Sequence, residues 1–224
     1  MSDAAMKKFR EDFNSIAPFE TEKWNRNNHY HGFLLEKLPQ NRQHILEIGC
    51  GIGTFSRLLS ARAKLVTAMD LSPKMIEIAK NLSESYPNID FQIADVLETN
   101  FPDEHFDAIV SIATFHHLPL EQVLPKLKRA LKPGGRLLIL DISRMESVPD
   151  FLTAAVAVPL GALLKIFHNG FARPTKAERE AWARHDETDC FLSFSEAKRI
   201  YSNHLENASV QRHLFFRYSV IWEK

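Results

Sequence analysis

The chain has 224 residues and only two cysteines, Cys50 and Cys190. They stand too far apart to form a disulfide framework or a metal knuckle, and a reducing cytoplasm is the expected compartment. Net charge is missing too: 28 basic residues balance 28 acidic ones. No bulk electrostatic field draws this chain to nucleic acid. Residues 1–13 are charged and contain no apolar core of the kind a secretory leader needs. The longest apolar stretch lies within residues 148–167; its continuous string, 151–164, reads as shorter than the ~20 residues a bilayer demands, and Pro159 and Gly161 interrupt it. It is therefore expected to be a buried or substrate-facing helix, with no membrane span. Internal repeats and low-complexity tracts are also absent. The length suits one domain with a substantial core.

Against these absences stands one concentrated signal. The apolar run Ile45, Leu46, Glu47, Ile48 enters Gly49, Cys50, Gly51, Ile52 and Gly53. A helical pattern follows over residues 54–63. Three alternating glycines let a backbone turn sharply and let a ligand approach the main chain without meeting Cβ atoms. Cys50 within this loop reads as a small residue that fits rather than as a nucleophile. The next strand, residues 65–69, ends in Asp70. An acid at the tip of the second strand is placed to accept hydrogen bonds from ribose hydroxyls. A dinucleotide loop is disfavoured, because its third glycine would come later and Thr54 stands where Gly or Ala is wanted. A phosphate loop fails for want of a following Gly-Lys-Ser/Thr.

Glu47, Gly49, Gly51 and Gly53 together spell E-x-G-x-G-x-G. This resembles the first motif of the class I S-adenosylmethionine-dependent methyltransferases (type 11/25-like, small-molecule type). The resemblance covers about residues 43–142, in the order that family requires. Asp70, Leu71, Ser72, Pro73, Lys74 and Met75 resemble its helix entry after the second strand. Asp95 and Val96 end the third strand, where the family holds the adenine ring. The fourth strand, residues 106–111, ends in Ser111 and leads to His116-His117-Leu118. Lys132-Pro133-Gly134-Gly135 resembles its turn into the fifth strand. The resemblance implies a Rossmann-like, doubly wound α/β fold. Its seven-stranded sheet is mostly parallel, with an antiparallel final strand and helices on both faces. It also implies S-adenosyl-L-methionine as cofactor and S-adenosyl-L-homocysteine as product. Glu47, Gly49, Cys50, Gly51, Gly53, Asp70, Leu71, Met75, Asp95, Val96, Ser111 and His116 are the implied cofactor-side residues.

The alternation of strands and helices independently reads as βαβ units with crossovers on both faces. Ligands then meet above the carboxyl ends of the strands. The whole chain is expected as one domain. Its parts are a helical cap (1–40), the cofactor core (41–142), a helical insert (143–190) and a closing helix with strands (191–224). In the cap, residues 3–17 and 26–38 read as helices. The polar and aromatic stretch 24–31 offers Tyr30 and His31 to the cofactor, against the simpler reading of a packed capping helix. The insert is expected to build the acceptor pocket through its apolar segment, with helix packing or a dimer surface as the alternative. Residues 177–185 and 195–205 read as helices, the latter capped by Ser195 with Glu196 in its first turn. Residues 208–213 and 215–222 read as the last two strands.

Methyl transfer from a sulfonium asks mainly for proximity and alignment. A hydroxyl or ammonium acceptor also benefits from a general base. His116 and His31 are the candidates for it, and Asp141 at the end of the fifth strand is a candidate partner through space. No acid stands beside the histidine pair at ligand spacing, so no metal is expected. The family's nucleic-acid enzymes carry Asn/Asp-Pro-Pro-Tyr/Phe after the fourth strand, where this chain has Ser111-Ile112-Ala113-Thr114-Phe115. The paired-glutamate loop of its arginine enzymes is missing. A small, apolar acceptor methylated on oxygen or nitrogen is the leading expectation, with a quinone precursor close behind and a monomer or homodimer as the assembly. A non-catalytic cofactor-binding module and a nicotinamide oxidoreductase are the readings from other classes.

Overall fold

The computed structural model of the chain describes residues 3–171, 173–186 and 189–224. Seven strands form one sheet in the order β3-β2-β1-β4-β5-β7-β6. They are β1 (His44–Ile48), β2 (Leu65–Asp70), β3 (Ile89–Ile93), β4 (Phe106–Ile112), β5 (Leu131–Ile142), β6 (Ser209–His213) and β7 (Arg217–Glu223). The first five pair in parallel, and β7 runs antiparallel to both β5 and β6. The strand order reverses at β1, which pairs with β2 on one side and β4 on the other. The crevice of a doubly wound sheet opens at such a reversal.

Among the described residues eight α-helices surround the sheet: α1 (Asp3–Ile16), α2 (His31–Glu36), α3 (Thr54–Ser60), α4 (Pro73–Leu82), α5 (Leu120–Ala130), α6 (Val148–Asn169), α7 (Lys176–Asp186) and α8 (Phe194–His204). Successive strand residues point to opposite faces, and the core divides accordingly. Leu46, Ile109, Leu137 and Ile139 join Leu124 and Leu127 of α5 and Tyr201 of α8. Ile45, Val110, Leu138 and Leu140 join Leu34 of α2, Leu59 of α3, Ile76 of α4 and Ala157 of α6. The central strands are apolar on both sides because both sides are covered.

Several boundaries differ from the sequence reading. The expected helix 26–38 starts late. The Asn25 Oδ1 accepts the backbone N–H groups of Asn27 and Asn28, each at 2.9 Å. This local turn competes with helix formation, so a 3-10 turn, Asn28–Tyr30, precedes α2. The cap of α8 is Ser193 rather than Ser195. Its hydroxyl accepts from the Glu196 N–H at 3.3 Å, and the Glu196 carboxylate accepts from the Ser193 N–H at 2.8 Å. This is a reciprocal capping box. Phe215 and Phe216, expected in the last strand, form the turn before it, at φ 60° and 59°. Burial of the Phe215 ring against Trp24 and His29 holds that turn.

The largest correction concerns α6. It runs for 22 residues through Pro159 and Gly161 without a break, and by length and composition it could cross a membrane. Pro159 lies on an exposed position, where water can satisfy the carbonyl that the ring leaves free. The helix is also mostly exposed rather than buried.

Replacing Ser193 with Ala should destabilise the fold by about 1 kcal/mol in denaturant titration, whereas Ser195→Ala should change it by less than about 0.5 kcal/mol. Equal effects would show that the box does not cap α8.

Candidate active site

The loop after β1 is folded back by main-chain bonds. The N–H groups of Gly49 and Cys50 both donate to the Met69 carbonyl at the end of β2, at 2.8 and 3.0 Å. The Gly51 N–H donates to Asp70 Oδ2 at 2.9 Å, and the Ser72 N–H to Asp70 Oδ1 at 2.9 Å. A Cβ on Gly49 would lie 2.0 Å from the Thr114 Oγ1, so glycine is obligatory where the β1 and β4 loops cross. Gly51 has φ +52°, and a Cβ there would meet nothing within 4 Å. Its main chain borders open space, which is the cavity.

That cavity measures about 320 Å³. Its floor comprises Glu47, Gly49, Cys50, Gly51, Asp70 and Leu71, with Met75, Asp95 and Val96 along one side. Asp95 Oδ1 is engaged by the Leu97 N–H at 2.8 Å, which fixes the carboxyl at the end of β3. Burial pushes the Asp70 carboxyl up from the usual range, opposed by the amides of Ser72, Gly51 and Leu71. Burial likewise raises the Cys50 thiol well above its ordinary value, helped by Asp70 and Glu47, so it stays a neutral thiol.

Three expected cofactor residues do not line this cavity. Ser111 is fully buried, and its hydroxyl donates to the Ile48 carbonyl at 2.8 Å, tying β4 to β1. Tyr30 turns away into the core and donates its hydroxyl to the Leu214 carbonyl at 2.9 Å. Gly53, at φ +77°, lets α3 approach β3: a Cβ there would lie 2.9 Å from the Phe91 ring. In each the polar atom or missing Cβ is used inside the fold.

The roof is formed by segments with no sequence motif. Phe13 and Ile16 of α1, Asn25, Asn27 and Asn28 of the cap, and Trp182 and His185 of α7 all face the cavity. Ser72 donates to Asn14 Oδ1 at 2.7 Å, which seats α1 over the Asp70 loop. Arg57 reaches from α3 to the Ile52 carbonyl at 3.1 Å and also pairs with Glu22, pinning the cap to the glycine loop. The expectation that the apolar segment 148–167 builds the pocket is not met, for no residue of α6 lines it. The insert contributes α7 and Asp189 instead, because α6 lies on the sheet face beyond the cap.

His116 stands on the cavity wall with its side chain 2% exposed, and its Nδ1 lies 2.6 Å from Oδ1 of the fully buried Asp141. A carboxylate can only accept, so Nδ1 carries the proton and Nε2 is left as the acceptor. His31 also faces the cavity, but burial depresses it to about 4. His117 is depressed to about 3, by burial and then by His116 and His185. Both are neutral and too weakly basic to hold a proton near neutral pH.

Besides Asp141, a second acid approaches the histidine pair in space, although none stands beside it at ligand spacing in the chain. His116, His117 and Asp189 place ligand-type atoms within 4.8 Å of one another. That donor set would suit a divalent ion if Nε2 of His116 turned to it. Asp189 comes from the far side of α7, so no spacing in the chain announces it.

Comparison with known proteins agrees with this geometry. The profile of a family described as "Methyltransferase domain" matches residues 46–139. An uncharacterised methyltransferase of Mycobacterium bovis is 33% identical over 117 residues, 52% of this chain and 59% of that protein. The ubiquinone biosynthesis O-methyltransferase of Coxiella burnetii is 32% identical over 155 residues, 67% of this chain and 65% of that one. The chain thus spans about three fifths of the length of these curated relatives. Among solved structures, the DhpI–SAH complex shares the fold with a TM-score of 0.66 at 20% identity, covering 100% of this chain and 98% of that one. Residues 46–139 thus match a methyltransferase domain, and the relatives reported above are named as methyltransferases. S-adenosyl-L-methionine is the cofactor that such a domain implies for the cavity. The residues fit it: Asp70 and Asp95 offer carboxylates, and Gly51 leaves room where any side chain would intrude.

Gly51→Val should abolish binding of S-adenosylhomocysteine in calorimetry, and Asp70→Ala should weaken it by about 1–3 kcal/mol, as for a lost bond to a charged group. Undiminished affinity in either variant would move the cofactor elsewhere.

Glu47 gives a pH test. Burial raises its carboxyl to about 8, against the Ser56 hydroxyl that donates to it at 2.5 Å. The folded state then holds this proton more tightly than the unfolded state does. The resulting stability is fully present below about pH 4.5 and lost as pH rises through about 8. Across that window Glu47→Gln should show a flatter fall in unfolding free energy than the parent chain. Parallel curves would contradict the assigned burial.

Proposed function

We propose that this chain transfers the methyl group of S-adenosyl-L-methionine to an oxygen or nitrogen of a small, apolar molecule. The observation that carries this reading is the His116–Asp141 pair at the wall of the cofactor cavity. When bound, the cofactor supplies a methyl group already activated on a sulfonium. What remains for the protein is to align an acceptor and to take its proton. Nε2 of His116 would accept that proton as the acceptor atom bonds to the methyl carbon and the carbon–sulfur bond breaks, leaving the neutral thioether S-adenosyl-L-homocysteine. Asp141 holds the ring and stabilises the imidazolium, since it lies buried against Nδ1. His31, depressed to about 4, serves as a neutral hydrogen-bond partner rather than as the base.

An apolar acceptor is supported by the roof of the cavity, where Phe13, Ile16, Trp182 and Phe191 gather around the polar floor. Phenols of the quinone-precursor type fit this combination, and the ubiquinone O-methyltransferase relative favours them as the first acceptors to try. Zero net charge argues against nucleic acid as the acceptor. Both cysteines are free, Cys50 buried and Cys190 exposed, which suits a cytoplasmic setting.

The test is cofactor turnover against a panel of phenols, quinols and amines. His116→Ala should lower kcat by roughly 10²–10⁴-fold while leaving cofactor affinity intact, Asp141→Asn should follow it, and His31→Ala should not. Full turnover by His116→Ala would remove it as the base. Cofactor binding without turnover on any acceptor would favour a non-catalytic binding module.

A further inference from the structure

Helix α6 is left without a task by the methyl-transfer reading, since it lines no part of the cavity. Its packing is one-sided. Ala157 is buried, Leu160 and Leu164 lean on the core, and a Cβ on Gly161 would touch the Phe215 ring at 3.4 Å. The opposite side is apolar and open to water. Val148 is 72% exposed, Leu152 67%, Leu163 63% and Phe167 80%, and Phe171 just beyond is 88% exposed. With Phe151 and Val158, also exposed, the positions within the helix run round about half the circumference at 3.6 residues per turn. A soluble chain rarely leaves so large a contiguous apolar surface uncovered.

Charge says what covers it. The only acid in α6, Asp150, faces inward, caps the helix with Ser147 and pairs with Arg212 at 2.8 Å. The outward face therefore carries no negative charge. At its carboxyl end Lys165, Arg173, Lys176 and Arg179 are all exposed, against Glu178 and Glu180. An apolar face with aromatic residues at one end and a cationic margin is the pattern of a helix lying in an anionic membrane surface.

We propose that α6 docks this protein onto an anionic lipid bilayer, lying in the interface rather than crossing it. Crossing would require the helix to leave the sheet. It is held there by Ala157 and Gly161 and by Asn169, which exchanges hydrogen bonds of 3.0 and 2.8 Å with the main chain of Trp24. A second copy of the chain would bury one stripe of α6, whereas lipid can close over the whole exposed arc. The same Asn169 bonds tie the docked helix to the segment carrying Asn25, Asn27 and Asn28. Those residues border the cavity, so its cap side would face the membrane. The inference goes beyond methyl transfer and stands whether or not that reading holds.

Flotation with vesicles tests it without any acceptor. The full chain should float with phosphatidylglycerol–phosphatidylcholine vesicles, and less with pure phosphatidylcholine or at high salt. A Leu163→Ser/Phe167→Ser double variant should lose at least about tenfold in vesicle binding. It should still bind S-adenosylhomocysteine like the parent, which shows that it folds. Lys165→Glu/Arg173→Glu should lose its preference for the anionic vesicles. Failure of the parent to float with either vesicle would overturn the proposal. So would a dimer that the double variant dissociates while no vesicle is bound. Retention of the parent in vesicles through alkaline carbonate would indicate a spanning helix and overturn it equally.

Discussion

The cavity depends on the few main-chain bonds that fold residues 49–51 back onto the end of β2. Gly49 and Cys50 share the Met69 carbonyl, and Gly51 donates to Asp70. These bonds do two things at once. They expose a bare strip of backbone at Gly51, and they hold the Asp70 carboxyl at the rim of that strip. Thr114 crosses over Gly49 so closely that no side chain fits, which locks the β4 loop onto the β1 loop. His116 follows two residues later. The cofactor floor and the histidine wall are therefore one rigid assembly, set by the strand reversal at β1.

Above that floor the protein builds differently. The roof consists of α1, the asparagine-rich cap and α7, joined by individual contacts rather than by a sheet. Ser72 meets Asn14, Arg57 meets Glu22, and His185 Nδ1 meets Asp12 Oδ2 at 2.8 Å. An apolar cluster of Ile16, Ala17, Ile52, Met75 and Ala181, with Phe13 and Trp182 against it, packs these pieces onto the glycine loop and α4. The floor is thus set by the sheet and the roof by side chains from segments far apart in the chain. Helix α6 stands outside both parts, clamped to the cap at Asn169.

Much of the architecture was legible in the chain. Alternating apolar strands and helices, the glycine loop, Asp70 and Asp95 follow local rules with a fixed order, so their placement could be read. Ser111, Tyr30 and Gly53 stand where the sequence suggests cofactor-facing residues, yet none of them lines the cavity. Position at a strand end says that a residue is near the crevice, not which way its side chain turns. The α8 cap illustrates the same limit, since Ser193 and Ser195 both precede a helical pattern and only the bond to Glu196 distinguishes them.

What the sequence determined by itself is the cofactor half: a loop conformation that only glycine permits, with acids at two strand tips, imposed by backbone sterics and spacing. What the tertiary structure decided is which groups meet across the chain. Asp141 reaches His116 from 25 residues away, and Asp189, just beyond α7, approaches His117 from far along the chain, α7 itself packing against α1. Helix α6 is the sharpest case. Its composition is that of a buried segment, and packing alone leaves most of it facing outward. Local patterns record what a residue prefers, whereas burial and pairing depend on the neighbours that the fold supplies.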